Sequence, residues 1–172
     1  PRCARGAPWA RWARPDWVVQ PTVPLDHARR LLLRHFGFAD FRPAQARVIH
    51  SVLDGRDVLA VLPTGGGKSV CFQVPALVSE GLCLVISPLI SLMQDQIAGA
   101  RARGISAAAL HSALPEVEAR AALDASGRGE LRLLYTSPER LPRVAKELAA
   151  RGARLSLLAV DDQEALHLAR GG

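Results

Sequence analysis

With 172 residues, 49% of them hydrophobic and 22% charged, the chain has the make-up of one soluble globular domain. No run of about 18 apolar residues occurs, which excludes a hydrophobic transmembrane helix; three cysteines without a C-x-x-C pair argue against a disulfide framework or structural zinc and for a reducing cytoplasm. Half of the +6 net charge falls in residues 1–24, where Arg2, Arg5, Arg11 and Arg14 face only Asp16, so the remainder is mildly basic, compatible with a nucleic-acid groove without requiring one.

Residues 1–24 hold all three tryptophans (Trp9, Trp12, Trp17) and five prolines without apolar periodicity. They are expected to form a disordered or artefactual leader rather than an arm that stacks bases on tryptophan. The domain proper is expected over 25–172. Leu31, Leu32, His35 and Phe36 predict a short helix stopped by Gly37. Pro43 opens a second helix to about Leu53, where its missing N–H does no harm. Beyond Gly55, apolar runs at 58–62, 82–87, 107–110, 131–135 and 155–160 read as strands. Helical stretches at 68–78, 89–103, 116–123 and 140–150 fall between them. That alternation predicts an α/β fold with a parallel sheet and helices on both faces. Pro75 conflicts with its helix.

Pro63-Thr64-Gly65-Gly66-Gly67-Lys68-Ser69 follows one of these strands and opens a helix. Consecutive glycines allow backbone N–H groups to close around phosphate oxygens, and the helix N-terminus adds partial positive charge. Lys68 would then reach the terminal phosphates and the Ser69 hydroxyl would ligate Mg²⁺. The strict phosphate-loop pattern wants glycine where Leu62 stands. A nucleotide site also needs a carboxylate at the end of a neighbouring strand. Asp161-Asp162-Gln163-Glu164 follows the last apolar run and supplies acids there. Alone, such a cluster reads as a solvated turn; paired with the loop, Asp161 becomes a metal-ligand candidate.

Five segments stand in a telling order: Phe36-Gly37-Phe38; Phe41-Arg42-Pro43-Ala44-Gln45; Leu62 to Ser69; Ser87-Pro88-Leu89-Ile90-Ser91-Leu92-Met93-Gln94-Asp95-Gln96; and Thr136-Ser137-Pro138-Glu139-Arg140-Leu141. Together they closely resemble the first motor lobe of RecQ-type DNA helicases, a superfamily 2 group, from about Leu25 to Val160. The family pattern also has Leu and Pro before its glycines and a proline at the place of Pro75. The resemblance implies a RecA-like P-loop NTPase lobe that uses ATP and Mg²⁺. It puts Gln45 on the adenine, an assignment an amide suits because it can pair with N6 and N7. Phe38 and Arg42 would sandwich the ring, and Thr64, Gly65, Gly66, Gly67, Lys68 and Ser69 would hold the phosphates. Without the resemblance, Phe38 reads as a core aromatic and Arg42 as a surface arginine. DNA contacts are implied for Ser87, Pro88, Ser91 and Gln94, and for Thr136, Ser137 and Arg140, with Ser112 a weaker candidate and His111 structural; taken alone, Thr136 and Ser137 read more commonly as helix caps.

After Val160 the resemblance breaks. The family continues Asp-Glu-Ala-His, with Asp on Mg²⁺ and Glu activating water, whereas this chain reads Asp161-Asp162-Gln163-Glu164-Ala165-Leu166-His167. Asp161 can keep its role; the catalytic carboxylate is Glu164 displaced by two residues, or Asp162. A shifted reading frame is one expectation, since Leu166-His167-Leu168-Ala169 can be encoded by letters that give Cys-Ile-Ser one base later, as the family has. A second motor lobe is missing from this chain, so residues 1–172 alone are not expected to unwind duplex DNA. The resemblance implies an ATP-dependent 3′→5′ DNA helicase acting in recombination and repair. Its partners would be single-stranded DNA and duplexes with a 3′ overhang. The alternatives are a truncated nucleotide-binding fragment without catalysis, or an RNA helicase of the same superfamily.

Overall fold

The computed structural model describes residues 25–63, 65–162 and 165–170. The leader 1–24, with its tryptophans, and the site candidates Thr64 and Glu164 lie outside the described residues. The chain runs α1 (Asp26–Phe36), α2 (Pro43–Leu53), β1 (Val58–Val61), α3 (Val70–Val78), β2 (Leu82–Ile86), α4 (Ile90–Ala102) and β3 (Ala107–Leu110). It continues through α5 (Glu116–Gly127), β4 (Leu133–Thr136), a 3-10 turn (Pro138–Arg140), α6 (Leu141–Ala150), β5 (Leu155–Asp161) and β6 (Ala165–Arg170).

Local chemistry sets the ends of these elements. Gly37 closes α1 at φ 74°, in the left-handed region, with its N–H on the Leu33 carbonyl. Arg42 enters α2 in extended geometry; its backbone N–H is taken by the Gln45 side chain, and Pro43 follows at the first helical position. Pro75 sits inside α3 and removes the donor that would reach the Cys71 carbonyl, as the sequence conflict anticipates.

The strands form one sheet in the order β1-β6-β5-β2-β4-β3. β5, β2, β4 and β3 are mutually parallel, with Ile86 beside both Thr136 and Val160. One expectation needs correction: the sheet is not wholly parallel. β6 lies antiparallel to both neighbours, pairing Val61 with Ala165 and Asp161 with Leu166. The reversal is tight, closed by the Asp162 N–H on the Ala165 carbonyl. Parallel strands need a crossover of a dozen or more residues, and the few residues after Asp161 permit only a hairpin.

Side-chain alternation divides the core. Val85, Cys83, Tyr135, Leu157, Ala159, Leu166 and Leu168 face α2, α3 and α4. Leu82, Leu84, Leu134 and Leu110 face α5 and α6 on the other side. A third cluster docks α1 on α2 and α3 through Leu32, Ile49 and Val74. Among the described residues no helix is long and apolar enough to cross a membrane.

Leu166 is fully buried, whereas Val61, on the facing strand, is 75% exposed. We expect Leu166→Ala to lower unfolding free energy by about 2–5 kcal/mol through loss of buried methyls and the cavity left behind. Val61→Thr should stay within about 0.5 kcal/mol. Urea titration followed by circular dichroism measures both; equal, small effects would mean that β6 does not occupy the interior of the sheet.

Candidate nucleotide site

The loop between β1 and α3 is shaped by its glycines. Gly65 and Gly67 have φ of 76° and 77°, a region closed to most side chains. The Gly66 N–H returns to the Pro63 carbonyl at 2.8 Å. A Cβ on Gly66 would come within 2.7 Å of that same carbonyl oxygen. Three glycines in succession are therefore a steric requirement.

α2 holds this loop from outside. Gln45, buried at 6% exposure, donates from Nε2 to the Gly66 and Gly67 carbonyls, both at 3.2 Å, while its Oε1 accepts the Arg42 N–H at 3.0 Å. The Arg42 guanidinium donates to the Gly65 carbonyl at 2.9 Å. Phe38, Arg42 and Gln45 line a cavity of about 270 Å³ that reaches Gly67 and Ser69. Phe38 is 59% exposed, so it is not the core aromatic that the residue alone suggests. Asp40 positions its loop: one carboxylate oxygen accepts the Phe41 N–H at 2.8 Å and the Arg29 side chain at 3.0 Å. Those bonds hold the Asp40 carboxyl below its ordinary range.

A second cavity, of about 530 Å³, opens on the other side of the loop, between Gly67, Lys68, Ser69, Leu92, Gln96 and Asp161. Ser69 and Gly67 border both cavities. The sequence candidates Lys68, Ser69 and Asp161 thus converge, although they lie nearly a hundred residues apart. Asp161 ends β5 and is 4% exposed. Burial pushes its carboxyl above the ordinary value, opposed by a hydrogen bond from Gln96 and by the nearby charge of Lys68. Asp162 lies on the same cavity.

Gln96 was not singled out by sequence reasoning. It closes the Ser87–Gln96 segment on α4, but only the tertiary fold brings its Nε2 to 2.8 Å from Asp161.

The strand-contact candidates divide by exposure. Pro88, Ser91 and Gln94 are exposed around the start of α4, as is Ser112 after β3. Ser87, Thr136 and Ser137 are buried. Thr136 Oγ1 donates toward the Leu110 carbonyl at 3.3 Å, and Ser137 Oγ donates to Glu139 at 2.5 Å. The Ser137 hydroxyl thus serves its own turn and the Thr136 hydroxyl the end of β3, while the buried Ser87 Oγ has no partner among the described residues. Arg140 is half-buried and donates to the His111 carbonyl at 2.6 Å, tying the β3 end to the β4 end. His111 is buried, in keeping with a structural role.

Residues 42–169 match the family model described as DEAD/DEAH box helicase. The chain belongs to that family. Among its relatives, an "ATP-dependent DNA helicase RecQ" from Synechocystis sp. is 52% identical over 110 residues, covering 64% of this chain and 23% of the relative. The Bacillus subtilis protein of the same description is 40% identical over 139 residues, covering 80% of this chain and 24% of the relative. A "Putative ATP-dependent DNA helicase Q1" from Caenorhabditis briggsae is 42% identical over 144 residues, covering 80% and 23%. The chain thus spans about a quarter of these relatives. A solved structure, a hypothetical ATP-dependent RNA helicase from Sulfolobus tokodaii, superposes with a TM-score of 0.54 at 21% identity, covering 71% of this chain and 37% of that one. This last likeness speaks for the RecA-like fold.

Gly67→Ala tests the loop. The new methyl would strike the Gln45 amide from a backbone that disfavours it. We expect a stability loss of about 1–2 kcal/mol from the left-handed backbone alone, read as a lower urea midpoint, with the helix signal retained.

Proposed function

We propose that this chain is the ATP-binding motor lobe of a RecQ-type ATP-dependent 3′→5′ DNA helicase, acting in recombination and repair. The observation that supports it best is the convergence of the glycine loop, Lys68, Ser69 and Asp161 on one cavity in a chain whose relatives carry that description. The loop's N–H groups and the start of α3 would hold the phosphates, and Lys68 would neutralise their terminal charge. Phe38 and Arg42 border the smaller cavity and would take the base between ring and guanidinium.

Mg²⁺ fits the donors present. Asp161 is a buried carboxylate that lines the same cavity as Ser69, and hard oxygens are what this cation takes. Bound there, Mg²⁺ would neutralise charge on the phosphates as it develops. Asp162 or Glu164 would orient the attacking water; Asp162 follows Asp161 directly and Glu164 stands three residues after it.

For DNA, the first turn of α4 has no side-chain cap, so its free N–H groups suit a phosphate. Ser91 and Gln94 are exposed beside it. Pro88 is exposed at the same end, while Ser87, whose N–H donates to the Thr136 carbonyl, would act with Thr136, Ser137 and Arg140 by shaping the strand ends. Single strands and duplexes with a 3′ overhang are the proposed partners. The free, buried thiols of Cys71 and Cys83 accord with a reducing cytoplasm.

Nucleotide titrations test the reading. Lys68→Ala should abolish binding of ATP. Gln45→Ala should remove the preference for ATP over GTP, of order 1–3 kcal/mol for two hydrogen bonds. It should also weaken both nucleotides, because the same amide holds the loop. Equal ATP and GTP affinities in the unmodified chain would take Gln45 off the base. A labelled dT oligomer should bind in a salt-sensitive manner. Equal binding of an RNA oligomer would favour the RNA-directed member of the superfamily.

A further inference from the structure

Four polar side chains from four elements, buried except for the half-buried Gln96, form a line that ends on the proposed metal carboxylate. Gln73 on α3 donates from Nε2 to the Tyr135 hydroxyl at 3.4 Å. Tyr135 on β4 donates to Gln96 Oε1 at 3.1 Å, and Gln96 on α4 donates from Nε2 to Asp161 at 2.8 Å. The direction is forced from one end. An ionised carboxylate only accepts, so Gln96 must turn its NH₂ to Asp161 and leave its carbonyl for the tyrosine proton. Having spent that proton, the hydroxyl can only accept from Gln73. The Gln73 Oε1 is left buried without a partner, the mark of an amide oriented for the line rather than for its own satisfaction.

The line cannot easily slacken. Tyr135 is 0% exposed and Gln73 2% exposed. The tyrosine ring meets Phe72 edge-on, with centroids 6.5 Å apart at 71°, so its hydroxyl has one place to be. Phe72 is itself fully buried.

We propose that Gln96 is a positioning residue that fixes the Asp161 carboxylate for its cation, and that Tyr135 ties this setting to the strand-contact end of β4. The inference rests on the reading of Asp161 and of the DNA face given above. Thr136 and Ser137 directly follow Tyr135, and Ser91 and Gln94 precede Gln96 on the same helix. The two segments proposed to hold DNA are therefore carried by the two partners of the Tyr135–Gln96 bond. A strand that shifts either segment alters the bond that orients Asp161. Linkage makes the effect reciprocal: nucleotide with Mg²⁺ should change the affinity for DNA by the same factor.

The test titrates a fluorescent non-hydrolysable ATP analogue into the chain, in Mg²⁺ and in EDTA, with and without a dT oligomer. The unmodified chain should bind more tightly in Mg²⁺, by a factor that the oligomer changes. Gln96→Met should cut the Mg²⁺ gain by about tenfold, the usual scale for a group that orients a metal ligand, and change affinity in EDTA far less. Tyr135→Phe keeps the ring and its packing; it should retain most of the Mg²⁺ gain and lose the oligomer's effect on it. A merely structural role would instead lower melting temperature and both affinities together, and that result overturns the proposal. So does an unchanged Mg²⁺ gain in Gln96→Met with an unchanged oligomer effect in Tyr135→Phe. If Gln96→Met fails to fold, the oligomer effect in Tyr135→Phe decides alone. An unmodified chain with no Mg²⁺ gain would remove the metal reading of Asp161 itself, a failure distinct from a gain that survives Gln96→Met.

Discussion

Strands that run the same way must end on the same edge of their sheet, and most of the candidate chemistry here depends on that constraint. β1 leads into the glycine loop, β2 into the start of α4, β3 into His111 and Ser112, β4 into Thr136 to Arg140, and β5 ends on Asp161. Each return path is a helix that packs on one face and leaves the far edge to plain turns. The order β5-β2-β4-β3 then sorts the ends along the edge. Asp161 falls near the loop, and the strand-contact candidates fall progressively farther from it. In an open α/β sheet a ligand at this edge meets backbone N–H groups, helix starts and short loops together.

The edge alone does not hold a nucleotide. A triple-glycine loop has little side-chain packing of its own and loses much conformational freedom on folding. Here α2 meets that cost. Gln45 and Arg42 take three consecutive loop carbonyls, those of Gly65, Gly66 and Gly67. Gln45 also completes the entry of α2 by accepting the Arg42 N–H. The start of one helix and the shape of the next loop are thus one hydrogen-bonded unit. This is a physical reason for the Phe41-Arg42-Pro43-Ala44-Gln45 wording that would hold even without a base to recognise.

Much of this was legible beforehand because it is written locally. Gly37 as a stop, Pro43 as a start, and apolar runs bounded by Gly55, Gly81 and Gly152 each act through a few neighbouring bonds. The glycine loop and Asp161 were legible for the same reason. The segment that ends on Gln96 was legible but the role of Gln96 was not, because it comes from contacts 39 and 65 residues away. The burial of Ser87, Thr136 and Ser137 was hidden too: a hydroxyl at a strand end reads alike whether it caps a turn or faces a strand. β6 sits between these cases. Ala165 to Ala169 does alternate, with Leu166 and Leu168 inward and His167 outward, but so short an alternation was too little to set against an expected parallel sheet.

The antiparallel placement of β6 also governs which face of the sheet is covered. β6 separates β1 from β5 and supplies Leu166 and Leu168 to the core beneath α2 and α3. A parallel strand in that slot would have had to arrive by a crossover, and a right-handed crossover from β5 lays a helix across one face. The hairpin brings a strand and no helix. On the side away from α2 and α3, Leu59 stands 60% exposed and Val61 75% exposed at the sheet's edge. The opposite side of those same strands is buried, with Ala60 at 6%. Two exposed aliphatic residues on an edge strand are the arrangement that sheets normally blunt with charge or cover. Among the described residues, the turn at Asp162 brings β6 back beside β1 with no helix over Leu59 and Val61.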